Sequence, residues 1–407
     1  MVLAAAHGVI RLAVVVSHPI QYYAPWFRCL ASEPDLELQV FHLWDFGITS
    51  RRDPGFAQPV QWDLPLLEGY ASTLVPNASK DPGTHHFGGL HNPALVPQIR
   101  AWRPDVLLVF GYTYRSHLRL LLEPSLRHLP VLFRGDSHGL CPRAGWRLRL
   151  ATLVRRLIFR RFAAGLAVGA ANTAWLAHNG IPRSRLHHVP HAVDNQRFQA
   201  ASLQASRDAA AWRARLGIDP EAPVLLFVGK FEPKKRPLDL LAAFTTLNHP
   251  SAVLVFAGSG LQEPLLKAQA ASLEPGRVHF LGFQNQSAMP SVYALADLVV
   301  LPSFGFGETW GLCINEAMNL ARPVLVSSHV GCGPDLVIEG QTGWTFPAGD
   351  VVALTDCLRH ALADPQRLQQ MGRAARAHID HFSYGEATAG LRQALAAVLP
   401  GRVRSLG

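Results

Sequence analysis

The stretch from Gly307 to Met318 reads Gly-Glu-Thr-Trp-Gly-Leu-Cys-Ile-Asn-Glu-Ala-Met, with Glu308 and Glu316 on either side of a glycine turn. A strand-like apolar run, residues 298–301, precedes it, and a second such run, residues 322–327, follows it. A strand, a glycine loop, a helix and a second strand form a βαβ unit, whose helix directs its first amides toward an anion. The stretch therefore predicts an α/β fold with an anion site at this turn.

The two carboxylates are predicted to lie too far apart to share one proton. If residues 309–311 open the helix, Glu316 lies about 10 Å from Glu308 at a rise of about 1.5 Å per residue. That distance suits the two ends of one elongated ligand. Each acid alone also has a structural interpretation, in which Glu308 complements the helix dipole and Glu316 is a solvated helix residue. The residues around them favour a site.

Those surrounding residues resemble the signature of the family 4 retaining nucleotide-sugar glycosyltransferases, which have the GT-B fold. The chain matches the order of that signature at Pro302-Ser303, Glu308, Gly311-Leu312 and Glu316-Ala317-Met318. It departs from it in the Phe-Gly-Phe-Gly loop, residues 304–307, which is longer than usual. This departure indicates a different pocket shape at the donor-sugar end.

The resemblance implies roles for the residues of the motif. Glu308 would be a catalytic residue beside the transferred sugar, and Glu316 would bind the ribose hydroxyls of the nucleotide. The amides of Gly311, Leu312 and Cys313 would face the diphosphate.

A second match lies upstream, where a buried strand pattern, residues 224–229, ends at Gly229 and a basic turn follows. The family places a basic residue directly after this glycine and a Lys five residues later, and Lys230 and Lys235 occupy these positions. The resemblance implies that both lysines are catalytic and neutralise the diphosphate leaving group in a dry cleft. The alternative is a solvated basic turn. We expect both side chains to be solvent-accessible without ligand.

Two further turns have counterparts in the family. Gly258 belongs to an Ala-Gly-Ser-Gly turn similar to the one near the diphosphate, and Phe283 belongs to a turn similar to the one that contacts the nucleotide base. With Gly229 they complete the predicted donor-binding set. Residues 189–194 resemble the segment that opens the crossing between the domains, but His191 and Ala192 replace the usual Asn-Gly.

Composition is compatible with a two-domain globular enzyme. The chain has 407 residues, 49% of them hydrophobic and 16% charged, which excludes a largely disordered protein. Its five cysteines are scattered without Cys-x-x-Cys spacing, which points to a reducing compartment. No apolar run is long enough to span a membrane, and the apolar start, residues 1–17, is predicted to be a first strand rather than a signal peptide. We therefore expect a cytoplasmic protein, with peripheral contact to the inner membrane face left open.

The net charge of +9 indicates either an anionic binding partner or a locally concentrated basic segment. No helix-turn-helix, zinc-finger or ribonucleoprotein signature is present, so we expect no nucleic-acid partner. Basic residues concentrate in 143–161, where Trp146, Leu150, Leu153 and Leu157 recur at helical spacing. Two interpretations stay open: a basic amphipathic helix on an anionic membrane, and a core-packed helix with a solvated basic side.

Twelve short apolar runs alternate with helical stretches, which predicts two doubly wound parallel sheets facing across a cleft, as in the GT-B fold. The predicted strands are 12–17, 36–43, 105–110, 131–134, 165–168, 187–190, 224–229, 252–257, 278–281, 298–301, 324–327 and 343–346. We divide the chain into an acceptor-binding domain (1–194), a donor-binding domain (195–385) and a helical segment (386–407), for which we consider packing back toward the first domain.

The first domain offers candidate acceptor or sugar contacts where its strands end. They are His18, Tyr112, Arg134, Asp136 and His138. Such residues face the crevice of an open α/β sheet, although a lone loop His or Arg is more often structural. The histidine pairs 85–86 and 187–188 lack zinc-site spacing, and the chain has no Asp-x-Asp sequence, so we expect no metal and no cofactor.

We expect a retaining glycosyltransferase that moves a sugar from a nucleotide diphosphate donor to a sugar, lipid-linked or small-molecule acceptor hydroxyl, in polysaccharide, glycolipid or other glycoconjugate biosynthesis. The alternatives are a GT-B sugar-nucleotide epimerase, which turns over without acceptor, and a non-catalytic nucleotide-sugar-binding protein.

Overall fold

The computed structural model describes residues 8–53, 55–141 and 144–402. Parts of three predicted segments lie outside these ranges: residues 1–7 of the apolar start, Arg143 of the basic segment and residues 403–407 of the final helical segment.

Fifteen strands fall in the described residues. They are β1 (Ile10–Val16), β2 (Leu36–His42), β3 (Arg51–Asp53), β4 (Gln58–Val60), β5 (Ser72–Leu74), β6 (Val106–Phe110), β7 (Val131–Arg134), β8 (Ala164–Ala167), β9 (Leu186–His188), β10 (Val224–Val228), β11 (Val253–Ala257), β12 (Val278–Gly282), β13 (Leu298–Leu301), β14 (Val324–Ser327) and β15 (Gly343–Phe346).

Fifteen α-helices connect and cover these strands in the same part of the chain. They are α1 (Ala24–Ala31), α2 (Leu95–Trp102), α3 (Arg115–Leu122), α4 (Trp146–Phe159), α5 (Ala170–His178), α6 (Asn195–Ala200), α7 (Ser202–Leu216), α8 (Pro237–Leu247), α9 (Glu263–Ala270), α10 (Met289–Ala294), α11 (Leu312–Asn319), α12 (Gly333–Leu336), α13 (Val351–Leu362), α14 (Pro365–His378) and α15 (Tyr384–Val398).

Thirteen of these strands form two parallel sheets, which confirms the predicted fold class, while β3 and β4 pair with each other as an antiparallel hairpin. The first sheet has seven strands in the order β5-β2-β1-β6-β7-β8-β9, and the second has six in the order β12-β11-β10-β13-β14-β15. The predicted βαβ unit is present, because β13 pairs in parallel with β14 through Val299 and Val324. Each of the twelve predicted strands occurs, with ends shifted by at most two residues.

Helices cover both faces of each sheet, so the central strands are buried on both sides. This burial explains their continuous apolar sequences, since neither face of the strand meets water. Strand β10, for example, has Leu225 in one apolar cluster and Leu226 in another on the opposite face.

The last helix belongs structurally to the first domain. Ala387, Leu391 and Leu395 of α15 lie in the apolar cluster that contains Val14 and Leu166 of the first sheet. Arg392 fixes the outer side of the helix by pairing with Glu33 and Asp35, each at 2.7 Å. The chain therefore crosses from the first domain to the second and back.

No helix in the described part of the chain combines the length and the apolar character needed to cross a bilayer.

Candidate functional site

A cavity of about 450 Å³ lies between the domains, at the carboxyl ends of the strands of both sheets. Its volume falls in the range of small-molecule sites. Twelve of the fifteen predicted site residues line it: His18, Asp136, Gly229, Lys230, Lys235, Gly258, Phe283, Glu308, Gly311, Leu312, Cys313 and Glu316.

Lys235 and Glu308 form an ion pair in the wall of this cavity, with side chains 15% and 9% exposed. Burial alone would lower the pKa of Lys235, but the adjacent Glu308 carboxylate outweighs burial and the pKa is raised. Lys235 is therefore a fixed cation. The expectation that both lysines are solvent-accessible is wrong for Lys235, because the turn before α8 folds its side chain inward against the acidic motif.

Three further contacts fix Glu308. Ser303 Oγ donates to Glu308 Oε2 at 2.8 Å, while the Glu308 carbonyl accepts from His138 Nε2 at 3.0 Å and from the Gly331 amide at 3.1 Å. Leu140 donates its amide to His138 Nδ1, so the proton of that ring lies on Nε2. The backbone and the carboxylate of Glu308 are thus both held, as expected of a group that must be preorganised.

Lys230 is half-buried and pairs with a residue of the first domain. Its Nζ donates to both carboxylate oxygens of Asp53, at 2.9 and 3.0 Å. Asp53 ends β3 and also accepts from the amides of Gly55 and Phe56, so it organises the turn between β3 and β4. Without ligand, the Asp53 carboxylate therefore takes the hydrogen bonds of Lys230, the lysine that the motif assigns to a diphosphate.

The described residues 51–53 and 55–63, which we call the crossing hairpin, bridge the two domains at this point. Beyond the Lys230 pair, Ser259 Oγ donates to the Phe56 carbonyl at 2.9 Å. Asn285 donates to the Gln61 carbonyl at 2.8 Å. The hairpin therefore forms one wall of the cavity.

Glu316 lies on the inner face of α11 and is 2% exposed. Tyr293 donates its hydroxyl to Glu316 Oε2 at 2.6 Å, and Tyr22 and Gln286 also lie beside the carboxylate, although no donor among the described residues meets Oε1 with good hydrogen-bond geometry. Burial raises the pKa of Glu316 despite the Tyr293 hydrogen bond. An unsatisfied buried acceptor that borders a cavity suits a ligand hydroxyl.

Two glycines let the backbone approach the cavity. Gly311 starts α11 with φ of +102°, and Gly258 has φ of +146°. A Cβ on Gly258 would lie 1.9 Å from the Gly229 carbonyl oxygen, so a larger residue would force the β10 and β11 turns apart.

Aromatic rings line the end of the cavity nearest the crossing hairpin. Phe283 meets Phe56 edge-on with centroids 4.9 Å apart, and Trp62 lies 6.2 Å from Phe283. Flat apolar walls of this kind suit a nucleotide base.

On the first-domain side, Asp136 is anionic and oriented. It accepts from Thr309 Oγ1 at 2.7 Å and lies 3.6 Å from His191 Nε2. Burial would raise the pKa of Asp136, but His191 and Thr309 lower it to about 2. His18 also borders the cavity, and burial lowers its pKa to about 4, so it is neutral near pH 7.

Three predicted acceptor residues do not line the cavity. Tyr112 packs its ring against Phe133 and Phe159 in the core of the first domain. Arg134 is 3% exposed and donates to the carbonyls of Val189 and Pro190. His138 supports the backbone of Glu308, as described above.

Several cavity residues were not among the predicted ones. Asp53 and Trp62 lie in irregular sequence far from any motif, so no pattern marked them. Tyr22 follows β1 as His18 does, so its place after a strand end was a signal that could have marked it. Tyr293 does not line the cavity; its buried hydroxyl contacts Glu316 from behind, and no sequence pattern indicated that contact.

A separate group of metal-ligating side chains lies outside the cavity. Asp81, His85 and His86 are exposed, and their ligand atoms lie within 4.8 Å of one another. His85 Nε2 donates to Asp81 Oδ2 at 2.9 Å, so the group is already hydrogen-bonded. We assign it no function.

Residues 208–378 match the model of the family described as "Glycosyl transferases group 1". The D-inositol 3-phosphate glycosyltransferase of Nocardia farcinica is 34% identical over 244 residues, which cover 56% of this chain and 52% of that protein. The glycogen synthase of Mycobacterium tuberculosis is 36% identical over 173 residues, covering 42% and 41%. The matches thus span about half the length of these curated relatives, or less.

Solved structures share the fold over almost the whole chain. HepE of Anabaena in complex with UDP superposes with a TM-score of 0.74 at 18% identity, covering 96% of this chain and all of that one. A glycosyltransferase of Rickettsia africae gives 0.73 at 14% identity, covering 97% and 100%. Together these findings confirm the predicted resemblance to the GT-B glycosyltransferases.

Proposed function

We propose that this protein transfers a sugar from a nucleotide diphosphate donor to an acceptor hydroxyl, with retention at the anomeric carbon and without a divalent cation. The observation that carries the proposal is the convergence of two lysines and the start of α11 on one cavity with Glu308 and Glu316. Cations and helix amides suit a diphosphate, and carboxylates suit sugar hydroxyls.

In the proposed reaction, the bond between the anomeric carbon and the diphosphate oxygen breaks, and its electron pair leaves with the nucleoside diphosphate. Lys230, Lys235 and the α11 amides stabilise that charge. The acceptor oxygen bonds to the anomeric carbon on the same face, and its proton passes to the departing diphosphate. We assign to Glu308, which Lys235 and Ser303 hold in place, the role of stabilising the positive charge that develops on the sugar ring.

UDP-glucose is the first donor to test, because HepE was crystallised with UDP and with UDP-glucose. Two features of this chain support a nucleotide at that end of the cavity: the unsatisfied Oε1 of Glu316 for ribose, and the rings of Phe56 and Phe283 for a base. Assembly of a glycolipid or other glycoconjugate is the process we propose it serves.

The test is a thermal-shift screen of the full chain against nucleoside diphosphates and nucleotide sugars, followed by turnover assays of each stabilising donor with and without acceptors. A ligand that binds the folded state raises the melting temperature by linkage. Stabilisation by a nucleotide sugar with acceptor-dependent release of nucleoside diphosphate supports transfer. Donor turnover without acceptor would indicate an epimerase, and binding without turnover a non-catalytic protein.

A further inference from the structure

Helix α4 presents its apolar stripe to solvent rather than to the core. Four residues of this stripe are exposed: Trp146 by 70%, Leu150 by 54%, Leu153 by 56% and Leu157 by 55%. Val154, at 48%, lies on the same stripe. Of the described residues of this helix only Phe159 is fully buried, so the core-packed interpretation of the segment is wrong.

The opposite side of α4 attaches the helix to the domain. Arg155 Nε donates to Asn179 Oδ1 at 2.6 Å, and Arg156 donates to the His178 carbonyl at 3.0 Å. Phe159 anchors the last turn in the core beside Phe162. The orientation of the helix is therefore fixed, with the stripe outward.

Arginines flank the stripe, and the helix has no acidic residue. At about 100° per residue, Arg147 lies on one side of the stripe and Arg149 and Arg160 lie on the other. All three are exposed. A helix with a long apolar stripe between rows of arginine has the character of an interfacial helix.

We propose that α4 docks this protein on an anionic membrane surface, with Trp146, Leu150, Leu153 and Leu157 entering the boundary between headgroups and acyl chains. The positive charge around the apolar stripe of α4 favours anionic lipid over a second copy of the chain as its binding partner. A second copy of the chain would bring the same arginines face to face, and the whole chain already carries +9. Anionic lipid offers negative charge and apolar volume together. The proposal does not rest on the proposed enzymatic function.

The test is flotation of the purified full chain with vesicles of phosphatidylcholine alone or of phosphatidylcholine mixed with phosphatidylglycerol. We expect binding to the mixed vesicles only, weakened at about 1 M salt, where the Debye length falls to about 3 Å. Equal binding to both vesicle types, or binding to neither, would overturn the proposal.

Two matched pairs of variants separate the apolar and electrostatic contributions. Leu150→Ser with Leu153→Ser should weaken binding at least about tenfold, from the lost apolar burial. The control is Leu203→Ser on α7 with Leu265→Ser on α9, where the side chains are 68% and 49% exposed. Arg147→Gln with Arg149→Gln should weaken binding about 25-fold, at about fivefold per arginine.

The control for the charge variant is Arg207→Gln with Arg215→Gln, also on α7. Arg215 lies over Trp212 as Arg147 lies over Trp146, at 5.3 and 5.5 Å, so the pairs match in setting. Equal losses in the α4 and α7 variants would exclude a specific role for α4. A dimer in solution that Leu150→Ser with Leu153→Ser dissociates would identify the stripe as a self-association surface and contradict membrane docking.

Discussion

The Lys235–Glu308 pair joins the two sequence motifs inside the cavity wall. Each residue was identified from its own motif, but their contact was not, because no pattern states which charge will face which. The same holds for Asp53, which pairs with Lys230 across 177 positions of sequence. The sequence thus predicted the charged side chains of the second domain. It did not predict their ion-pair partners, because these depend on how the loops fold and how the two domains meet.

Replacing Lys235 by Ala should lower kcat/KM for the donor by about 100-fold, since a fixed cation next to the leaving group is lost. It should also lower the free energy of unfolding by about 3 kcal/mol, because the Glu308 charge is left buried without its partner. Steady-state kinetics and urea unfolding measure the two effects.

Lys230→Ala is the comparison variant, because it also leaves a carboxylate, Asp53, without its lysine. It should lose activity with a smaller loss of stability, since Asp53 keeps the hydrogen bonds from the Gly55 and Phe56 amides. Adding Glu308→Gln to Lys235→Ala should recover stability but not turnover. Unchanged turnover in both single variants would remove the electrostatic mechanism.

Glu308→Gln alone should lower kcat with little change in donor KM. The substitution preserves the shape of the side chain and the hydrogen bond from Ser303. It removes the negative charge that stabilises the positive charge developing on the sugar ring. Measuring both constants decides the matter. A higher KM with normal kcat would move Glu308 from the reacting centre to donor binding.

Glu316→Gln should stabilise the ligand-free protein while weakening donor binding. Because burial raises the pKa of Glu316, the wild type binds this proton more tightly when folded and loses stability as pH rises through that pKa. The melting temperature of the variant should therefore exceed that of the wild type at pH 8, and the gap should close toward acidic pH. A gap that does not change with pH would rule out the buried charge as its cause.

The same variant should raise donor KM by about tenfold, since the neutral amide replaces a charge-assisted acceptor for ribose. Unaltered KM would argue against nucleotide contact by Glu316.

At the scale of elements, the central strands were predicted because they are buried on both faces and read as unbroken apolar runs. The structure adds β3, β4 and β5, which are three residues each and only partly buried. Such short strands carry no periodicity to detect. Strands β3 and β4 form the crossing hairpin, so the apolar pattern of the sequence did not predict the element that closes the cavity.

Asp53→Asn should strengthen binding of a nucleoside diphosphate by about threefold, because it removes an anion that competes for Lys230. Asn retains the side-chain oxygen that accepts from Gly55 and Phe56, so the turn should persist. Isothermal titration calorimetry with UDP measures the change. Weaker binding in the variant would mean that Asp53 contacts the ligand itself.

For the whole molecule, activity should persist in EDTA. The cavity supplies positive charge from Lys230, Lys235 and the start of α11, which is the role a divalent ion would otherwise fill. Turnover assays with EDTA, and with added magnesium or manganese, test this expectation. Loss of turnover in EDTA that the metals restore would contradict it.

The return of α15 to the first domain has a consequence for biosynthesis. Strands β1 and β8 leave the ribosome early, but Leu391 and Leu395, which complete their apolar cover, follow about 200 residues after β9, the last strand of that sheet. At about 5–20 residues per second, the nascent first sheet waits tens of seconds with that surface open. Ribosome-bound chains that stop before α15 should therefore engage chaperones and be sensitive to protease, even though their first sheet is fully synthesised.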